Sequence, residues 1–229
     1  MQGIQSLHLT QPTGLLGIPL KIRLEIYRYS LIRRKPINLQ FLNYRLYQSL
    51  HENYKPLNPK GHTVVLVSRQ ISEEALNVLY GENVFEITLH QGNQRFPSEF
   101  APTNMQRIRR LQLFVRANIS CGPPLKLNPY ISPPILASLT RLYIVAWQPL
   151  EAKTFNNAPR LEREMHKWPT ELKLVLEYVN QYVSSRATIE VDDNDMGETS
   201  ELVKKCFPNG YRKVRTRTGD IWFERDVPS

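Results

Sequence analysis

The spacing of apolar residues changes along the chain, and each change marks an element. Between residues 19 and 33, Leu20, Leu24, Tyr27 and Leu31 recur at helical spacing, and Ile22, Ile26 and Tyr29 form a second stripe. This predicts a helix that is apolar over a wide arc. Pro19 suits its first turn, where a missing backbone N–H costs no hydrogen bond. Pro36, Pro56 and Pro59 then bound a polar, tyrosine-bearing stretch with room for one short helix between loops. From Val64 onward, Val67, Ile71, Ala75, Val78 and Leu79 share a helical face, and Gly81 stands where a left-handed residue would close that helix. The period then drops to two. Phe85, Ile87 and Leu89 alternate with Glu86 and Thr88, as in a strand with one face inward.

Two further segments read as strands and resemble each other. Ile108, Arg110, Leu111 and Leu113 in one correspond to Leu139, Arg141, Leu142 and Ile144 in the other, at an offset of 31 residues; a single such pair hints at a repeat without establishing one. Residues 121–134 between them carry five prolines, so a loop across a sheet edge is expected there. Leu172, Val175, Leu176, Val179 and Val183 trace a helix opened by Pro169 and Thr170, and residues 188–191 alternate as a strand. The tail offers a short helix over 200–207. Two alternating runs follow, separated by Thr218, Gly219 and Asp220 in the manner of a hairpin turn at the edge of the sheet.

Composition sets the class. With 229 residues, 41% apolar and 22% charged, the chain has ordinary globular proportions and one continuous core is expected. No stretch approaches the roughly 18 to 20 uninterrupted apolar residues of a bilayer span, and the first residues lack a basic region followed by an apolar run. The expectation is a soluble protein of a reducing compartment, cytoplasmic or nuclear. Cys121 and Cys206 are its only cysteines, too few for a disulfide framework or a four-cysteine zinc site, and each is expected to be a small packed side chain. The net charge is +9, gathered at Arg33-Arg34-Lys35, Arg107 to Arg110, Lys204-Lys205 and Arg212 to Arg217. Such a field attracts acidic surfaces, although a solvated face is the commoner role of basic clusters.

Searching for chemistry yields mostly absences. The sequence contains no phosphate-cradling glycine loop, no dinucleotide turn, no nucleophile elbow and no His-Glu-x-x-His pair. His8, His51, His62, His90 and His166 lie apart with no neighbour at metal-ligand spacing. No cofactor or metal is implied. The run Asp192-Asp193-Asn194-Asp195 invites a calcium reading, but with Gly197 at the sixth loop position Met196 falls fifth and Val203 twelfth, and neither ligates. A solvated turn is expected instead. Trp147, Trp168 and Trp222 each sit in or beside an apolar-periodic element, where core packing is expected.

Two segments carry a resemblance. Ile18-Pro19 with Ile22, Arg23, Ile26, Tyr27 and Tyr29 is followed by Ser68-Arg69-Gln70-Ile71, Glu74-Ala75 and Leu79-Tyr80-Gly81 with Asn83 and Phe85. Together they are similar to the fungal F-box-like family, over roughly the first half of the chain. Ile18 stands where that family usually has leucine and Lys21 where it usually has glutamate. The resemblance implies that residues 1–60 form an F-box-like helical segment with a proline-broken connection. Residues 61–229 would then form a sheet domain sharing one core with it. The expected fold is α/β, with mixed α+β open: F-box-like helices, then a curved sheet of irregular helix-strand units resembling a leucine-rich arrangement. Arg69 and Glu73, four apart on one helix, are placed to pair.

Three functions follow. The first is a non-catalytic protein-interaction module, implied by the resemblance to be a substrate receptor of a cullin-type ubiquitin ligase. Its adaptor-contacting residues would be Ile18, Pro19, Ile22 and Ile26; the same helix could instead pack only on its own domain. The second is nucleic-acid binding through a basic hairpin, with Arg212, Lys213, Arg215 and Arg217 on phosphates and Tyr211 or Trp222 as a stacking surface. The third is an enzyme with a dispersed site using His166 or the Asp192 to Asp195 run as acid or base.

Overall fold

The computed structural model describes residues 14–39, 68–89, 102–116, 132–148 and 158–215. Six strands form one sheet in the order β1 (Ile37–Asn38), β2 (Val84–Leu89), β3 (Arg110–Arg116), β4 (Arg141–Trp147), β5 (Thr188–Asp192) and β6 (Arg212–Lys213). Every neighbouring pair is parallel. Parallel neighbours need a crossover connection, and helices occur in each. Helix α1 (Leu20–Leu31) precedes β1; α2 (Arg69–Glu82), α3 (Pro102–Met105), α4 (Pro133–Ser138), α5 (Ala158–Tyr182) and α6 (Gly197–Cys206) follow the first five strands in turn. The fold is therefore α/β.

Strand order equals chain order, so crossovers of a single hand would lay their helices on one face of the sheet. The core agrees with that arrangement. Phe85, Ile87, Leu89, Leu111, Leu113, Leu142 and Ile144 point into one apolar cluster together with Tyr80 of α2, Met105 of α3, Leu136 of α4, Trp168 and Leu176 of α5 and Val203 of α6. The 31-residue offset between the two similar strand segments is the sheet register itself, with Arg110 beside Arg141, Leu111 beside Leu142 and Leu113 beside Ile144.

The opposite face is more polar. Asn38, Glu86, Gln112, Tyr143, Glu190 and Arg212 stand in register, one from each strand. Tyr143 and Val145 are buried there beside Val214. Both faces of the sheet's centre are thus covered, as parallel sheets require.

Several expectations change. Helix α2 does not close at Gly81 in a left-handed conformation but continues to Glu82. Its end is made by Asn83, whose Nδ2 donates to the carbonyls of Leu79 and Leu31 and whose Oδ1 accepts from the backbone N–H of Arg33. Its start is capped by Ser68, whose Oγ accepts from the N–H of Ile71. Pro169 does not open a helix: α5 runs through it for 25 residues. The apolar stripe Leu161, Met165, Trp168, Leu172 continues across the proline. With Trp168 and Leu172 fully buried, tertiary packing offsets the lost backbone bond. The last two of the five prolines, Pro133 and Pro134, occupy the first turn of α4 rather than a loop. Glu73 pairs with Arg107, across the chain, at 2.5 Å.

The acidic run is a solvated turn only in its second half, where Asn194 and Asp195 are exposed. Asp192 and Asp193 are buried, and each accepts a backbone N–H two residues on, from Asn194 and Asp195 respectively. Asn194 and Asp195 both adopt φ of 55°, the left-handed region that short polar side chains tolerate best after glycine. Cys206 is buried, as expected of a packed thiol. The short helix expected between Pro36 and Pro56, most of the proline-rich segment, Cys121, Trp222 and the hairpin turn at Thr218 lie outside the described residues.

Candidate functional site

Helix α1 carries two stripes with different fates. One side turns to α2, where Tyr27 and Leu31 are buried against Ile71, Ala75 and Val78. The same side buries an arginine: Arg23 is 6% exposed. Its guanidinium donates from Nε to Glu74 Oε2 at 2.8 Å and from Nη2 to Glu74 Oε1 at 2.6 Å, a two-point pair that fixes orientation as well as charge. Its remaining nitrogen donates to the carbonyl of Ile18 at 2.5 Å. The Tyr27 hydroxyl and Gln70 Nε2 also donate to Glu74, at 3.1 and 2.9 Å. The Arg23 guanidinium holds the Glu74 carboxyl down to about 2, with Gln70 and Tyr27 assisting and burial opposing. Burial pushes the Tyr27 phenol up, and its bond to the carboxylate adds to this.

A second anchor lies nearer the helix end. Arg28 donates from Nε and Nη2 to Glu82 at 2.8 Å each, and from Nη1 to Glu25 at 2.7 Å. Both carboxylates, Glu82 foremost, hold its pKa above the ordinary value. Asn83 ties the segment after α1 to the end of α2. The orientation of α1 is thus fixed from its first turn to its last by polar contacts, most of them to α2.

The other side of α1 is left to solvent. Pro19 is exposed, Ile22 is 49% exposed, Ile26 37% and Tyr29 94%. These residues recur at i, i+3, i+7 and i+10, so they form one stripe along the helix. Of the four residues proposed from sequence, Pro19, Ile22 and Ile26 belong to this outward stripe. Ile18 does not stand with them: it is half-buried and its carbonyl serves Arg23. Tyr29 was not among the four, although its three-residue spacing from Ile26 was the signal for it. Beside the stripe an open cleft of about 490 Å³ is lined by Glu25, Arg28, Tyr29, Ile32, Glu82 and Arg110.

The basic residues proposed for nucleic-acid contact lie elsewhere and are engaged. Arg212 reaches Glu190 at 3.3 Å, Lys213 reaches Asp193 and Asp195 at 3.0 Å each, and Arg215 pairs with Asp195. Tyr211 is half-buried, its ring 6.4 Å from that of Phe207. Arg217 lies outside the described residues. His166 is exposed on α5, while the carboxylates of Asp192 and Asp193 accept from their own turn and Asp193 also meets Lys213 and Ser200. Among the described residues, no group of three or more His, Cys, Asp or Glu is arranged to hold a metal ion, and no helix is long and apolar enough to cross a membrane.

No family model, curated protein or solved structure matches the chain.

Proposed function

We propose that the chain is a non-catalytic protein-interaction module that docks through the outward stripe of α1. The observation that carries this reading is the division of labour on that helix. Arg23, Tyr27 and Leu31 satisfy its attachment to α2, so Pro19, Ile22, Ile26 and Tyr29 are not needed for the chain's own core. An apolar stripe at i, i+3 and i+7 on a rigidly held helix is the arrangement by which helices enter apolar grooves of partner proteins. On the resemblance of two of its segments to F-box-like sequences, the partner we propose is the adaptor subunit of a cullin-type ubiquitin ligase, with this chain as a substrate receptor. The sequential strand order and one-sided helices support the leucine-rich-like description of the remainder.

The test is capture of the purified adaptor by the purified chain. Truncating or charging a central apolar anchor costs about 2 kcal/mol or more, so Ile22→Asp with Ile26→Asp is expected to abolish capture. Neither residue belongs to a buried cluster, so the circular dichroism of the variant should match that of the parent and its unfolding midpoint should fall only a little. Capture by the variant at parental strength would remove this reading. Nucleic-acid binding draws less support, because the three described cations of that proposal already face carboxylates.

A further inference from the structure

The two outermost strands of the described sheet, β1 and β6, are each two residues long, yet they are fastened by different forces. Leu39, directly after β1, is fully buried in the main core, and its N–H donates to the carbonyl of Glu86. Asn38 adds a neutral-donor bond to the Glu86 side chain at 2.8 Å. On β6 both residues are exposed. Among the described residues around it, Tyr211 and Val214 contribute apolar contact, and the N–H of Val214 donates to the carbonyl of Val191 at 3.0 Å.

Charge supplies the rest. Arg212, Lys213 and Arg215 all reach back to one short acidic run, Glu190 to Asp195. Within it the side chains of Glu190 and Asp193 are 0% and 1% exposed. A buried carboxylate without countercharge is costly. Glu190 has Arg141 as well as Arg212, but Asp193 has Lys213 as its cation, with the Ser200 hydroxyl as a further donor. Asp195 is held below its ordinary value, first by Lys213, and Lys213 is held above its own, first by Asp193.

We propose that β6 is an ionic latch, an edge strand that leaves the sheet when the Asp193, Asp195, Lys213 and Arg215 network is screened or neutralised, while β1 stays in place. Release frees residues 211–215 as a basic segment and bares the outer edge of β5. The cations of the latch are about half exposed or more, so salt reaches them: the screening length falls from roughly 10 Å at 0.1 M to roughly 3 Å at 1 M.

Amide exchange of the full chain, followed residue by residue by NMR at 0.05 and 1 M NaCl, tests this. The Val214 amide should exchange about tenfold faster at high salt, the sum of several pairs with exposed cations and modest individual strength, while the Leu39 amide changes less than twofold. Asp193→Asn with Asp195→Asn should show fast Val214 exchange already at low salt and little further response. Should that variant fail to fold, Lys213→Gln with Arg215→Gln, both at exposed positions, is expected to behave in the same way. Equal acceleration of both edges, no acceleration at Val214, or parental Val214 protection in the charge-removed chain would each overturn the latch.

Discussion

Replacing Glu74 by glutamine removes the charge that seats α1. Glutamine keeps the shape and one acceptor oxygen, so Arg23 keeps one of its two bonds and loses the other together with the carboxylate's charge. The folded carboxyl sits at about 2 against an ordinary 4.5. At about 1.4 kcal/mol per unit, that gap corresponds to an upper value of about 3 kcal/mol. The Glu74 side chain is 16% exposed, and water contact reduces the yield to about 2 kcal/mol. The sign follows from the depressed value: the stabilisation is complete above pH 4.5 and drains away as pH falls toward 2. Urea unfolding of the parent and of Glu74→Gln at pH 7, 5, 4 and 3 measures it. The parent should exceed the variant by about 2 kcal/mol at pH 7 and 5, and the gap should close on acidification. Carboxylates unrelated to Glu74 titrate in both chains and cancel in the difference. A gap that stays constant from pH 7 to 3, or no gap at pH 7, would refute the assignment of this ion pair as the seat of α1.

Three further outcomes are expected. Asn83→Ala removes three side-chain bonds joining α1, α2 and the intervening backbone; at about 1 kcal/mol each the loss is about 3 kcal/mol by chemical denaturation, with exchange at the Arg33 amide rising first. Trp168→Phe gives up the Nε1 bond to Thr199 for about 1 kcal/mol, whereas Trp168→Ala opens the core between α5 and the sheet for about 3 to 5 kcal/mol; comparison of the two unfolding midpoints checks the ratio. Pro169→Ala restores a helical N–H in the middle of α5 and is expected to raise stability by about 1 to 3 kcal/mol, visible as a higher thermal midpoint.

What could be read in advance was local and periodic. The switch from helical to alternating spacing after Leu79 located both α2 and β2, because the residues that fix them lie within one window of sequence. The paired Ile/Leu-x-Arg-Leu-x-Leu/Ile segments disclosed β3 and β4, and their offset proved to be the register by which the strands meet. A parallel sheet places equivalent positions of successive units side by side, so in-register packing selects the same residue type at the same step. What escaped was decided at a distance. Arg23 reads as a polar interruption in an apolar helix, and only a carboxylate 51 residues away makes its burial tolerable. Glu73 has a cation on its own helix at the right spacing and takes Arg107 instead.

The same distinction bears on the candidate site. Both stripes of α1 are apolar enough to be core, so periodicity alone could not tell which would face inward. The choice turns on polar chemistry: the side bearing Arg23 and the Tyr27 hydroxyl can be buried because Glu74, itself held by Gln70, accepts from both. The isoleucine side offers Ser30, whose hydroxyl turns back to the carbonyl of Ile26, and nothing that calls for a partner across an internal interface. Burying the charged stripe leaves the purely apolar one outside. Rotating the helix would not improve on this, because Tyr27 and Leu31, now 0% and 2% exposed, would come out as Ile22 and Ile26 went in. A partner that covered the 49% of Ile22 and 37% of Ile26 still open would gain about 1 kcal/mol from each, and that remaining burial is the physical argument for the docking surface proposed on α1.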